Sequence, residues 1–392
     1  MAERGVSMAL AEEVKKGRLS ATTDLRAAVS TSEAIIIAVQ TPYEGGKAIL
    51  SHLSSACDGV ASAIKNGTVV IVESTVPPGT CQRVVLPIFG RHGKRDGSEF
   101  YFGYCPERIA PGNSLEEFTM NDRIVGAGND KSRSRALETM KRAVKGKLIA
   151  TNILTAETTK LVENAARDVY IAFANDLAKM SSQIGVDARE VISLANTHPR
   201  VKILNPGPGV GGPCLTKVPY LLLDGLTQDS GEGTMIRAAR SVNNSMSEEV
   251  VRLATAGGGL NNGDKVAVLG TSYKPDIDDP RNSPSEPVIR SLIAMGYDVL
   301  AYDPKCKNGF GARIVGSVSE ATSGARCALF LVAHSEFATL NMEVLASAMA
   351  RNPVIVDAVG LTRFDTAPKG YALRRLGDGR RSGSEPSVRG EV

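Results

Sequence analysis

Pro206-Gly207-Pro208-Gly209-Val210-Gly211-Gly212-Pro213-Cys214 decides how this chain folds, because Gly207, Gly209 and Gly212 satisfy the G-x-G-x-x-G pattern that leads a buried strand into a helix around a dinucleotide. That reading fails on context. The pattern requires a strand before it and a helix after it. Here it follows a helix-like segment and the polar connection Asn196-Thr197-His198-Pro199-Arg200, and three prolines break it up. The α/β sheets are therefore expected on either side of this run. Its glycines are left to shape a polar pocket around one thiol, Cys214.

Upstream, short apolar runs bounded by turn residues recur at 34–39, Thr68–Val72, Phe100–Tyr104, Arg123–Gly126 and 147–150, alternating with helix-like stretches. This rhythm predicts a mostly parallel sheet with helices on its faces. Residues 155–198 contain almost no glycine or proline, and Ile171, Phe173, Ala174, Leu177 and Met180 recur at helical spacing. They predict one long helix or two, forming a spine between two α/β blocks. The second block opens at Lys265-Val266-Ala267-Val268-Leu269-Gly270, continues through Asp298–Tyr302 and 327–332, and closes at 353–357. The glycine-rich stretch 257–263 reads as its linker, and from about Arg374 onward the basic, glycine- and serine-rich composition predicts disorder.

A chain of 392 residues with a formal charge of +4 gives no reason to expect nucleic acid as a partner. No apolar run is long enough to span a bilayer, and the opening segment lacks the order of a signal peptide, so a cytoplasmic location is expected. Six cysteines stand scattered without a C-x-x-C pair beside only four histidines, so no metal site is expected. In a reducing compartment the other five thiols read as small buried apolar groups.

Seven segments, the Cys214 loop among them, stand in a fixed order: Ser74-Thr75-Val76-Pro77-Pro78-Gly79, Tyr104-Cys105-Pro106-Glu107-Arg108-Ile109, Thr155-Ala156-Glu157 with Lys160 and Asn164, Ile171-Ala172-Phe173-Ala174-Asn175, His198-Pro199-Arg200, the Cys214 loop, and Tyr273-Lys274-Pro275 with Asp279, Arg281, Ser283 and Pro284. Together they resemble the UDP-glucose/GDP-mannose dehydrogenase family over nearly the whole chain. Cys105-Pro106-Glu107-Arg108, and His198-Pro199-Arg200 leading into the glycine loop, resemble the branch acting on UDP-N-acetyl-D-mannosamine more than the branch acting on UDP-glucose. The resemblance implies an α/β fold of two Rossmann-like parallel-sheet domains joined by a central helical dimerisation domain. Residues 1–150 would form a partial NAD-binding domain, 151–255 the helical domain with the cysteine loop, 256–375 a UDP-sugar-binding α/β domain, and 376–392 a disordered tail.

The implied activity is oxidation of a UDP-sugar C6 alcohol to a carboxylate in two hydride transfers to NAD, with a cysteine holding the aldehyde as a thiohemiacetal and then a thioester. Cys214 matches that nucleophile. Lys160 and Asn164, four apart and so on one helix face, match the pair that stabilises charge at C6. Glu107 matches the glutamate that moves a proton or orients water. Arg108, Ile109, His198, Arg200, Gly211 and Lys274, with Lys160 and Asn164, are the implied substrate contacts. Thr41, Ser74, Thr75 and Arg281 are the implied NAD contacts. A homodimer built through residues 155–198 is the implied assembly.

Two departures stand against this pattern. Nothing before Ala34 resembles the family's opening strand, glycine turn, helix and acid-ending strand, so the first domain is expected to lack its opening βαβ unit, roughly sixty residues. Val218 also stands where the family carries an aspartate four residues after the cysteine, and Gln40 replaces a proline before Thr41. Valine cannot act as a base, so two alternatives remain beside the mannosamine reading: a catalytically impaired nucleotide-sugar-binding homologue, and a UDP-glucose 6-dehydrogenase.

Overall fold

The computed structural model describes residues 5–109, 112–226, 231–256, 260–362 and 370–379. The chain divides into two compact units, Met1–Ala165 with Lys217–Glu232, and Ala166–Thr216 with Gly233–Val392. The expected domain limits at 150 and 255 therefore do not coincide with the cuts, one of which falls inside the helix Ile153–Ile184.

The first unit is built on a five-stranded sheet in the order β1 (Ala34–Ile37), β4 (Thr68–Val72), β5 (Phe100–Tyr104), β6 (Arg123–Gly126), β7 (Leu148–Thr151). All pairs are parallel except β5 with β6, which meet antiparallel at Tyr104 and Gly126. A small antiparallel hairpin, β2 (Tyr43–Glu44) and β3 (Lys47–Ala48), lies between β1 and β4 in sequence. Every residue of β4 is buried, which explains its unbroken apolar sequence. Val70 and Val72 point into one core with Leu53, Cys57 and Val60, whereas Val69 and Ile71 point into another with Ala136 and Met140. The helices Ser51–Ala61 and Asp130–Lys141 supply those opposite layers. β1 differs: Ala34 and Ile36 are exposed, and among the described residues β4 is its only strand partner. Two helices the sequence reading passed over precede it, Val6–Lys15 with no buried residue and Leu25–Thr31 with only Val29 buried.

The second unit contains a six-stranded, wholly parallel sheet in the order β10 (Arg313–Ile314), β9 (Asp298–Tyr302), β8 (Lys265–Leu269), β11 (Cys327–Phe330), β12 (Val354–Asp357), β13 (Ala372–Arg375). Counted from β8 this is the order 3-2-1-4-5-6 of a doubly wound sheet, whose direction of winding reverses between β8 and β11. Ligands bind such sheets beyond the carboxyl ends of the strands at that reversal. Val266, Val268 and Leu329 face one core, Ala267, Leu269 and Phe330 the other.

Disorder from Arg374 onward is corrected by β13, whose residues pair with β12. Arg375 is buried and bonded to Asp378, and Leu376 is buried as well. The rest of the expected tail, 380–392, and residues 257–259 of the expected linker lie outside the described residues. The predicted spine is the helix Ile153–Ile184, followed by Ala188–Ala195, which Asp187 caps by accepting from the amides of Arg189 and Glu190. Around the predicted stripe the helix buries Ala172, Ala174, Asn175 and Ala178, while Phe173 and Met180 of the stripe are exposed. No helix among the described residues is long and apolar enough to cross a membrane.

Candidate active site

Asn152 starts the long helix by accepting the Thr155 amide at 2.8 Å. Glu157, Lys160, Leu161 and Asn164 then recur at the spacing that lines up one helix face. Glu157 is fully buried and accepts the amides of Gly79 and Cys81 at 2.5 and 2.8 Å, pinning the turn after β4. Burial pushes its carboxyl above the ordinary glutamate value, against the pull of those amides.

Lys160 and Asn164 open onto a cleft of about 660 Å³ that Arg108, Ile109, Glu117, Asn121, Asp122, Ile149 and Glu163 complete. Lys160 Nζ lies 3.8 Å from Glu107 Oε2 just after β5, and Glu107 in turn accepts the Ile109 amide. The Asn164 side-chain amide is buried, and among the described residues its N–H groups have no partner. A buried donor without an acceptor is costly unless something else satisfies it, and a nearby ammonium gives the same spot a preference for developing negative charge. The structure thus brings Glu107, Arg108, Ile109, Lys160 and Asn164 together in the first unit. Arg108, expected among the substrate contacts, has its Nη2 2.7 Å from Glu163 Oε1 and its Nη1 donating to Asp122 O at 2.8 Å. The guanidinium is occupied in holding the cleft wall. Beneath it, the fully buried Arg123 bonds Glu73 at 2.7 Å and reaches the carbonyl of Cys105, which steadies the segment carrying Glu107.

The expected cofactor contacts divide. Thr41 is buried after β1 and its hydroxyl has no partner, so it fits a polar ligand at a strand's carboxyl end. Ser74 does not offer its hydroxyl: Oγ accepts the Val39 amide and donates to the Val39 carbonyl, each at 2.8 Å, tying the ends of β1 and β4 together. Thr75 beside it is half-buried. Arg281, in the second unit, is engaged by Asp279 at 2.6 Å, which raises the guanidinium pKa.

In the second unit the Cys214 loop sits on the segment after β8. Gly211 and Gly212 have no room for a side chain: a Cβ would lie 2.7 Å from the Asn282 carbonyl at the first and 2.8 Å from the Tyr273 ring at the second, where φ is +90°. Gly212 donates to the Arg281 carbonyl at 3.1 Å, and Asn282 Nδ2 donates to Gly212 O at 3.2 Å and to Thr216 Oγ1 at 3.1 Å. The expected glycine at 211 is thus a packing requirement. Cys214 is exposed at the end of this clamp, while the other five cysteines are buried. Burial pushes the thiols of Cys57 and Cys327 up to about 12 and that of Cys105 to about 11. Lys274 is exposed on the segment that holds the loop, whereas His198 and Arg200 are exposed on the turn after Ala188–Ala195 and take no part in holding it.

Val218 is buried as the first residue of the helix Val218–Leu223, packed with Leu161 and Leu221. The position expected to carry a carboxylate is therefore an apolar one. Sequence reading missed Glu163, although it lies three residues after Lys160 and so on the same face; it gave Glu157 no role beyond its place in the Thr155-Ala156-Glu157 segment, and it missed Arg123 and the buried polar groups after β9 and β11. Among the described residues no group of three or more His, Cys, Asp or Glu side chains is arranged to hold a metal.

Two α/β units, one a doubly wound sheet with an exposed thiol on the loop over its switch point and the other carrying a lysine–asparagine cleft, define the class of nucleotide-binding α/β proteins. Three sequence models of one family match in order: the NAD binding domain over residues 1–145, the central domain over 154–245, and the UDP binding domain over 267–363. The chain belongs to the UDP-glucose/GDP-mannose dehydrogenase family and is an NAD-dependent nucleotide-sugar dehydrogenase. It is 37% identical over 381 residues to the UDP-N-acetyl-D-mannosamine dehydrogenase of Pyrococcus horikoshii, covering 96% of this chain and 88% of that one. It is 34% identical to the NDP-N-acetyl-D-galactosaminuronic acid dehydrogenase of Ralstonia nicotianae, over 92% of this chain and 85% of the relative. A solved structure of the Pyrococcus horikoshii UDP-D-ManNAc dehydrogenase superposes with a TM-score of 0.90, at 36% identity, over 97% of this chain and 89% of that one.

Proposed function

We propose that this chain oxidises C6 of UDP-N-acetyl-D-mannosamine to the carboxylate. The carrying observation is that Cys214 is the exposed thiol of the six and stands on a loop in which Gly211 and Gly212 admit no side chain. In this reading the C6 alcohol loses a hydride and a proton to give an aldehyde. The Cys214 thiolate adds to that carbon, a second hydride leaves the thiohemiacetal, and water cleaves the resulting thioester, freeing the thiol. NAD, when bound, accepts the hydride in each oxidation, and Thr41 and Thr75 are the residues suited to hold it. Lys160 and the unpartnered Asn164 amide stabilise the charged C6 oxygen, and Glu107 moves the proton or orients the water. The names of the relatives favour an N-acetylated sugar over UDP-glucose.

Incubation with UDP-N-acetyl-D-mannosamine and NAD, followed by NADH absorbance, tests the reading. Two NADH per sugar are expected, with Cys214→Ser reducing turnover by ~10³-fold or more, the scale set by loss of a covalent nucleophile. UDP-glucose oxidised faster than the mannosamine compound would overturn the substrate assignment. The apolar setting of Val218 favours a second reading, a nucleotide-sugar-binding homologue without turnover. Binding of the UDP-sugar with no NADH would establish that one instead.

A further inference from the structure

His52, His92 and His198 are exposed, whereas His334 is completely buried. It follows β11 at the reversal of the second sheet, where Nε2 lies 3.0 Å from Asp303 Oδ2 and 3.3 Å from Ser272 Oγ. Nδ1 accepts the Asp276 amide at 3.0 Å. An accepting Nδ1 leaves the proton of the neutral ring on Nε2, where it is donated to Asp303. Asp303 is itself fixed: Oδ2 accepts the amides of Thr271 and Ser272 at 2.7 and 2.9 Å, and Oδ1 those of Lys305 and Cys306, both at 2.8 Å. These contacts gather the ends of β8, β9 and β11 around one imidazole.

On its other side the imidazole holds a strained turn. Asp276 has φ +61°, a left-handed conformation that a residue with a Cβ avoids. The bond to Nδ1 retains it, together with Ser335, whose amide and hydroxyl donate to Asp276 Oδ1 at 3.1 and 3.0 Å. Within this turn the Tyr273 amide donates to Asp279 O at 3.0 Å, and the Tyr273 side chain lies against Gly211 and Gly212, under the loop that ends in Cys214. An unbroken series of contacts thus runs from Asp303 through His334, the Ser272-to-Asp276 turn and Tyr273 to the Cys214 loop, all inside one unit.

We propose that His334 is a positioning residue for the oxidation: by accepting the Asp276 amide it fixes the Tyr273 platform and so the presentation of the Cys214 thiol. This rests on Cys214 acting as the nucleophile. Two substitutions of similar size separate the parts of the imidazole. His334→Asn keeps an acceptor where Nδ1 lies, and His334→Gln places an amide donor toward Asp303 while giving up that acceptor.

Alkylation of the full chain by iodoacetamide reads Cys214 selectively, with Cys214→Ser as the blank, since the other five thiols are buried. His334→Asn is expected to keep the alkylation rate and kcat within ~3-fold, whereas His334→Gln changes the alkylation rate ~5-fold and lowers kcat ~10-fold with little change in KM for NAD, as loss of an oriented contact predicts. Equal behaviour of the two variants, or wild-type alkylation in His334→Gln, would overturn the proposal. Should His334→Gln not fold, Tyr273→Ala removes the platform directly, and unchanged alkylation there would be equally fatal. If Cys214→Ser retained full turnover, the nucleophile reading would fail, while the alkylation contrast would still decide what His334 positions.

Discussion

At the residue scale, the Cys214 loop shows how glycine can be demanded by neighbours as well as by backbone angles. Gly212 combines φ +90° with a Tyr273 ring atom 2.8 Å from its would-be Cβ. Gly212→Ala therefore meets strain and collision together, and a loss of ~1–3 kcal/mol is expected from the midpoint of urea denaturation. Val218 presents the opposite case. The resemblance drawn from the sequence leads to the expectation that an aspartate there would supply a missing base, yet the Val218 side chain is buried with Leu161 and Leu221. Val218→Asp places a carboxylate among aliphatic groups and is expected to cost ~2–4 kcal/mol at pH 8. Because burial raises the folded-state pKa of such an acid, the charged form is what the fold rejects. The loss should shrink as the pH falls below the raised folded pKa and level off below the unfolded pKa of ~4, where both states are protonated. Denaturation midpoints at the two pH values check the sign, and a loss that grew in acid would contradict the apolar setting.

At the scale of elements, legibility followed burial. β4, β5 and β9 could be placed to the residue, and β8 to within one, because strands covered on both faces are written in nearly continuous apolar runs. β10 has two residues and both are exposed, and β13 ends in Arg374 and Arg375, so neither carries that signal. Their strand character comes from pairing at the sheet edges and, for Arg375, from bonds to Asp378. The same logic divides the candidate site. Cys214 was legible because glycines cluster around it. The Ser272–Asp303–His334 cluster was not, because its members come from the ends of separate strands and meet only once the sheet has formed. Asp303 also sets a pH limit on its unit. Burial pushes its carboxyl up, but the His334 bond and the backbone amides outweigh this and hold it well below 3.8. A depressed acid contributes stability that is present above its unfolded pKa and is lost as the pH falls from there toward the folded value. Unfolding followed from pH 7 downward should therefore steepen below pH ~4, and Asp303→Asn should flatten that limb while lowering stability at neutral pH. An unchanged acid limb in the variant would remove Asp303 from the account.

A buried polar relay extends the same reasoning to the two longest helices. The Gly207 amide donates to Asn175 Oδ1 at 2.9 Å, Asn175 Nδ2 donates to Asn243 Oδ1 at 2.9 Å, and Asn243 Nδ2 donates to Asp168 Oδ1 at 2.9 Å. Arg240 Nη1 completes the series at 2.7 Å from the same carboxylate oxygen. Asn175 is fully buried, so truncation leaves both the Gly207 amide and Asn243 without their partner. Asn175→Ala is expected to cost ~2–4 kcal/mol, more than one exposed hydrogen bond would, because a buried group and a half-buried one lose their bonds at once. It should also loosen the start of the Cys214 loop, so a change in alkylation rate is expected alongside the shift in the denaturation midpoint.

For the whole molecule, the feature left unburied is an apolar stripe on Ile153–Ile184 that shares Phe173, Leu177 and Met180 with the predicted one but runs from Tyr170 to Ile184. Tyr170, Phe173, Met180 and Ile184 are 59%, 58%, 48% and 67% exposed, and with the half-buried Leu177 they recur at alternating intervals of three and four residues. That spacing is the seam by which one helix packs against another, and a large apolar seam in water carries a free-energy cost that association removes. A homodimer through this face is accordingly expected, with the helix of one protomer laid on its counterpart in the partner, since a self-complementary stripe closes with twofold symmetry. Phe173→Glu places a charge on each side of the symmetric contact, where the two carboxylates face one another as well as the surrounding apolar groups. Sedimentation equilibrium should show the unsubstituted protein as a dimer and the variant weakened by ~100-fold or more in association, as a buried unpaired charge at an interface predicts. Circular dichroism should be unaltered, because Phe173 is exposed in the single chain and contributes little to its core. A monomeric unsubstituted protein at micromolar concentration would mean that the stripe is covered by something other than a second copy.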